Sequence, residues 1–170
     1  ETCSSERGKY GVGDVIQLSA TVRNGYTGDT LAGKPDFNKF INPRNGSEWS
    51  PFNPHNITAH KVKDCDPIRV VWKEFVVWCE ALGGRLVFVA WNGETCDFDW
   101  IYEITSIRCP DLALPSNLKY SWDPWRTVSA YPTCRFHPTN WANASGEESS
   151  TAPSAGLAFE QVLFSLGSML

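Results

Sequence analysis

Two neighbouring stretches decide the fold: Pro67-Ile-Arg-Val-Val-Trp-Lys-Glu-Phe-Val-Val-Trp-Cys-Glu-Ala-Leu-Gly-Gly84 and Leu86-Val-Phe-Val-Ala90. In the first, Ile68, Val71, Trp72, Phe75, Val76, Cys79 and Leu82 recur at spacings of three and four. That periodicity predicts an amphipathic helix, and Gly83-Gly84 supplies its stop. The second stretch is a continuous apolar run of strand-forming residues, the pattern of a strand buried on both faces in a sheet covered by helices. Polar residues begin abruptly at Trp91-Asn92-Gly93, and the span 98–107 again has helical spacing. The middle of the chain therefore reads helix, buried strand, loop, helix.

Working outward, Asp14-Val-Ile-Gln-Leu-Ser-Ala-Thr-Val22 alternates polar and apolar residues and reads as a strand, with a turn at Asn24-Gly25. A second short strand is expected around Phe37 to Ile41, ending at Asn42-Pro43, and then an irregular loop over 43–60 rich in Asn, Pro, Gly and Ser. Trp122 to Tyr131 fits a short helical or extended segment. The expected domain, 1–141, is followed by a flexible linker or insertion over 142–156, poor in bulky side chains, and by an apolar, helix-like segment over 157–170. Two early strands ahead of a helix–strand–helix unit predict an α/β fold, a mixed sheet with antiparallel strands at one side and flanking helices. Chemistry in such sheets gathers at strand ends, and here one strand ends in Asn-Gly-Glu-Thr-Cys-Asp.

Composition bounds the function. The 170 residues suit one domain, or a domain with a tail. A net charge of −4 argues against holding nucleic acid by bulk positive charge, though ions bound at clustered carboxylates would supply charge locally. No apolar run reaches the roughly 18 residues of a membrane span, and no signal peptide is visible, so an intracellular place, nuclear or cytoplasmic, is expected. The six cysteines are irregularly spaced without a C-x2-C and are expected to be reduced thiols. His55 and His60, near Cys65, lack the spacing of a zinc site and read as surface residues. Lys61, Lys63, Arg69 and Lys73 fit a solvated helix face as well as a phosphate backbone. Most of the eight tryptophans are expected in the core, with Trp49 and Trp141 the best exposed candidates for base stacking.

The sharpest cluster is Trp91-Asn-Gly-Glu-Thr-Cys-Asp-Phe-Asp99. Carboxylates held together need a hard cation or a shared proton between them, and magnesium is the usual cation. If Phe98 faces inward, at most one of Asp97 and Asp99 points at a common site, and the other reading is that one caps the next helix.

Taken in order, several segments resemble the DEDD family of 3′–5′ exonucleases, with its ribonuclease-H-like fold. Glu1-Thr2 resembles the tail of an Asp-x-Glu-Thr motif, Asp14 to Ala20 the strand that follows it, and Phe40-Ile41-Asn42-Pro43 and Asn56-Ile57-Thr58 two intervening segments. Ala90-Trp91-Asn92-Gly93 through Asp97 resembles the second motif, with Trp91 where histidine is common and Cys96 where an aromatic is usual. Tyr120 to Arg126 looks like the strand downstream. The resemblance implies a ribonuclease-H-like domain incomplete at both ends, part of a larger parent chain or assembly. It implies Glu1 and Asp97 as catalytic and metal-holding carboxylates, and Thr2, Cys3, Trp91 and Asn92 near the terminal nucleotide. The cofactor would be a pair of Mg2+ or Mn2+ ions held by four carboxylates, and the partner a single-stranded DNA or RNA 3′ end. The first aspartate and the third motif do not occur in these residues, so the chain alone is expected to be inactive. The alternatives are a degenerate member of the same fold serving as an interaction module, and a glycosyltransferase. In the latter, Asp97-Phe98-Asp99 would hold manganese and a diphosphate, and the sequons at Asn45, Asn56 and Asn143 would carry sugar.

Overall fold

The computed structural model describes residues 2–3, 13–45, 47, 49, 56–129 and 159–165. The helix expected from the 3.6 periodicity is α2, Ile68–Leu82, and it buries Val71, Trp72, Phe75, Cys79 and Leu82. Its end is fixed by geometry that suits glycine: Gly83 has φ 72 and Gly84 φ 64. Lys34 Nζ donates to the Leu82 carbonyl at 2.7 Å, so a last-turn acceptor is satisfied by a cation at the negative end of the helix dipole.

The strands are β1 Gln17–Asn24, β2 Phe37–Phe40, β3 Arg85–Val89, β4 Leu118–Trp122 and β5 Phe159–Ser165. They form one five-stranded mixed sheet in the order β2-β1-β5-β3-β4. β1 is antiparallel to both β2 and β5, whereas β3 is parallel to both β5 and β4. The expectation of a mixed α/β sheet with antiparallel strands at one side holds at this level. Short helices α1 Ala59–Val62, α3 Asp97–Tyr102 and α4 Pro124–Ser129 flank it, and a π-helical turn, Glu103–Arg108, continues α3.

Period two in β1 puts Leu18, Ala20 and Val22 on the core face. On β3 Leu86 and Phe88 are fully buried, while Arg85 and Val87 on the other face are only half-buried, so that strand is covered less evenly than its apolar run implies. Helix α2 lies against this face through its aromatic rings. Phe75 meets Phe37 of β2 at 5.2 Å between centroids, edge-on, and Phe88 of β3 at 5.9 Å, and it stacks on Trp78 at 5.7 Å. The segment between the π-helical turn and β4 straps across α2: Trp72 Nε1 donates to the Ala113 carbonyl, Asn117 Nδ2 to that of Cys79, and Ser116 Oγ to Glu80. Burial pushes the Cys79 thiol pKa far above its ordinary value.

One segment departs from its sequence reading. The apolar stretch over 157–170 reads as helix-like, yet residues 159–165 form β5. A short apolar run cannot by periodicity alone choose between buried helix and buried strand. Here the choice is made by β1 and β3, each of which offers β5 a full edge of backbone partners. The linker expected at 142–156 lies outside the described residues.

Phe75, with no exposed surface, is the residue on which the helix–sheet contact turns. Phe75→Ala is expected to cost about 3–5 kcal/mol in urea unfolding. Val77→Ala, on the exposed face of the same helix, should stay within about 0.5 kcal/mol. Equal costs would show that α2 does not pack as described.

Candidate functional site

The carboxyl end of β3 is a tight tip. The Ala90 N–H donates to the Trp122 carbonyl at 3.2 Å, so the ends of β3 and β4 are joined where the chain leaves the sheet. Asn92 takes a left-handed conformation, φ 56 and ψ 28, which its short amide side chain tolerates. At Gly93 an added Cβ would lie 2.8 Å from Ala90 Cβ and 2.8 Å from Phe98 Cε2, so a residue without a side chain is required there. A single 3-10 turn, Gly93–Thr95, then leads into α3.

The first turn of α3 holds both aspartates and separates them. Asp97 is 4% exposed and Asp99 is exposed, as expected for positions two apart on a helix start. The cap position of α3 is Cys96, without a side-chain cap bond, so neither aspartate is the N-cap. Of the other carboxylates at the tip, Glu94 pairs with Arg126, and Asp123 accepts from the backbone N–H groups of Glu94 at 3.1 Å and Trp125 at 3.0 Å. Asp123, 4% exposed, therefore clamps the tip after β3 to the start of α4. Sequence reading missed it, although an aspartate directly before a proline and a helical segment is a capping signal. Trp91 and Trp125 meet edge-on at 5.6 Å, and each keeps a large exposed surface, 40% and 46%.

The second cluster is built around Asp14, a residue that reads from sequence as the first polar position of a strand. Thr2 forms an antiparallel bridge with Val15, and the Cys3 N–H donates to the Asp14 carbonyl at 2.9 Å. The Asp14 N–H donates back to Cys3 Sγ at 3.1 Å. The Asp14 carboxylate, 2% exposed as a residue, accepts from Val15 N at 2.8 Å, Arg44 N at 2.8 Å, Arg44 Nε at 3.2 Å and Arg108 Nη1 at 2.5 Å. Arg108 comes from the π-helical turn after α3; its Nε donates to Glu103 at 2.5 Å, and its guanidinium lies 5.2 Å from the centre of the Trp100 ring. Its Nη2 is equally near that Glu103 oxygen but off the line for a hydrogen bond. Burial raises the Cys3 thiol pKa, opposed by the hydrogen bond from Asp14.

The two clusters share one end of the sheet. β1 runs antiparallel to β5, and β5 parallel to β3, so the start of β1 lies beside the carboxyl end of β3. Thr2 and Cys3 flank the start of β1, and Trp91 to Asp97 follow the end of β3. The path Cys3–Asp14–Arg108 joins them, because Arg108 belongs to the helical stretch that begins at Asp97. Of the residues expected near a nucleotide, Cys3 has both its N–H and its Sγ engaged by Asp14 and is buried, so neither is left for a ligand. Glu1 lies outside the described residues.

Among the described residues no three His, Cys, Asp or Glu side chains gather as a metal-binding group. Asp97, a buried carboxylate at a strand end, is the donor type a hard cation takes, but it supplies one ligand and not a set. His60 is exposed on α1, Trp49 is half-buried against a small second core with Ile16 and Ile57, and His55 and Trp141 lie outside the described residues. Lys61 lies over the Phe40 ring, while Lys63 and Arg69 pair with Asp64 and Asp111, which accounts for three of the four helix-face cations. Cys3, Cys65, Cys79, Cys96 and Cys109 carry no disulfide. No helix among the described residues is long and apolar enough to cross a membrane. No family model, no curated protein and no solved structure matches this chain.

Breaking a buried pair from one side leaves a charge without its partner, at a cost of about 3–5 kcal/mol. Arg108→Met and Asp14→Asn are each expected to lower unfolding stability by that order, and the double variant by clearly less than the two together. Strict additivity in this double-mutant cycle would mean that the pair does not join the clusters.

Proposed function

We propose that this chain is a ribonuclease-H-like domain of a metal-dependent 3′–5′ exonuclease acting on single-stranded DNA or RNA. The observation that carries the reading is the placement of two sequence-distant segments, Thr2–Cys3 and Asn92–Asp97, at the same end of a mixed α/β sheet. Thr2 belongs to the pair Glu1-Thr2 that resembles the first exonuclease motif, and Asn92–Asp97 to the stretch from Ala90 that resembles the second. Support also comes from the opposite settings of Asp97, buried, and Asp99, exposed, since only the first has a role under the resemblance. Two divalent ions would supply an activated water and steady the leaving 3′ oxygen. The chain's own part is to hold the Asp97 tip rigid, through the close packing at Gly93 and the Asp123 clamp, and to tie it through Arg108 to the corner beside Thr2. With Glu1 and Asp97 providing two of four carboxylates, these residues act as part of a larger protein.

The test is nucleotide release from 5′-labelled single-stranded DNA and RNA by the native protein that contains this chain, with Mg2+ or Mn2+. Metal-dependent shortening from the 3′ end is expected. Asp97→Ala should abolish it by more than about 100-fold, since outer partners of metal ligands alone are worth 10–100-fold, while Asp99→Asn should leave it unchanged. A folded native protein that shortens neither substrate would move the assignment to a non-catalytic interaction module of the same fold.

A further inference from the structure

Trp91 and Trp125 belong to neither of the two core clusters among the described residues, yet both are held firmly at the backbone. Trp91 leaves the sheet directly after Ala90, whose N–H donates to the Trp122 carbonyl. Trp125 lies in the first turn of α4, and its N–H donates to Asp123 Oδ1. Rings presented from a fixed backbone lose little conformational freedom when a ligand settles on them. The two meet edge-on, at an interplanar angle of 69°, so they are not stacked face to face. Both are exposed, and so are Tyr120 and Trp122, two apart on β4, the last strand of the sheet.

The polar groups around the pair decide what it suits. Glu94 and Arg126 pair with each other, and each Asp123 oxygen takes a backbone N–H, from Glu94 and from Trp125. A sugar on an aromatic ring needs placed polar groups to fix its orientation, and those at hand are engaged within the fold. Nor is there net positive charge to draw phosphates in bulk: the Glu94–Arg126 pair cancels, and Asp97 and Asp99 stand in the adjoining first turn of α3. What the corner offers is the π-face itself, which stacks on any nucleobase and is tolerant of sequence.

We infer that Trp91 and Trp125 form a stacking surface for an unpaired base of the strand that enters the Asp97 site, with Trp125 the residue that holds the base. This deepens the exonuclease reading and rests on it for the identity of the strand. Trp91 adjoins the Asn92–Asp97 tip in the chain. Asp123 takes the N–H of Glu94 in that tip as well as that of Trp125, so one buried carboxylate fixes the stacking surface against the tip. Bases inside a duplex must be unstacked before they can reach such a surface, so the corner favours single strands.

Binding is measured with the native protein that contains this chain, in EDTA so that no strand is cut. The probes are a fluorescein-labelled single-stranded DNA, a strand of the same length whose sugars carry no bases, and a neutral oligosaccharide, chitohexaose. Trp125→Ala is expected to weaken binding of the base-bearing strand about 5- to 150-fold, the range of a lost stacking ring. The factor should be the same at low and high salt, and the abasic strand should bind as before. Trp125→Phe, which keeps a ring, should restore most of the loss. Tyr26→Ala, at an exposed ring beyond the other end of β1, should bind like the native protein. An equal loss for both strands, no loss, or no binding of either strand would overturn the inference. Binding of chitohexaose that Trp125→Ala removes would overturn it too, and assign the pair to sugar. Nucleotide release with Mg2+ or Mn2+, run on the same proteins, separates the two claims. Shortening by the native protein with unchanged binding by Trp125→Ala removes the stacking surface alone. Base-dependent binding without shortening keeps the surface and overturns the exonuclease reading.

Discussion

The backbone pairing of β5 on both edges is the constraint on which the rest of the structure depends. β1 and β3 do not pair with each other; each has an edge of N–H and C=O groups that would be buried without partners if the central strand were missing. With β5 in place the antiparallel pair β2-β1 and the parallel pair β3-β4 become one sheet, and α2 can lie across both through Phe75. The same pairing sets direction. It brings the start of β1 to the carboxyl end of β3, so that Thr2 and Asp97 stand at the same end of the sheet.

A second layer of ties makes that region stiff. Asp14 is a buried carboxylate whose four contacts come from three separate segments of chain, and Asp123 is another whose acceptors hold two strand ends together. Carboxylates are buried at a cost that only good partners offset, and replacing such networks with apolar groups is often neutral or stabilising. Their value here is positional: they fix where the Asp97 tip stands relative to the N-terminal corner. Glu94 and Arg126, more exposed, add little to that rigidity.

How much of this was legible in the sequence follows the range of the interactions. The α2 stripe and the β3 run are local patterns, and both elements appear nearly where their periodicity puts them. The split between Asp97 and Asp99 was also legible, because it needs only the local geometry around Phe98. The strand state of 159–165 was not, since an apolar segment takes the form its partners demand, and those partners lie more than a hundred residues earlier. Asp14 was hidden for the same reason: nothing near it in sequence announces Arg108. Exposed tryptophan was expected at Trp49 and Trp141; Trp49 is half-buried, and among the described residues the exposed tryptophans are Trp91, Trp122 and Trp125, where two strand ends meet.

The proposal that most needs testing is that the corner at Thr2 and the tip at Asn92–Asp97 border one metal site. Titration of Mn2+ into the 15N-labelled protein tests this most directly, because paramagnetic broadening reports which amides lie near a bound ion whether or not any reaction follows. The account requires the amides of Thr2, Cys3, Asn92 and Asp97 to broaden together, at lower Mn2+ than those beside exposed carboxylates such as Asp64, and to do so no longer in Asp97→Ala. Broadening confined to the exposed carboxylates, or at one cluster without the other, would contradict it.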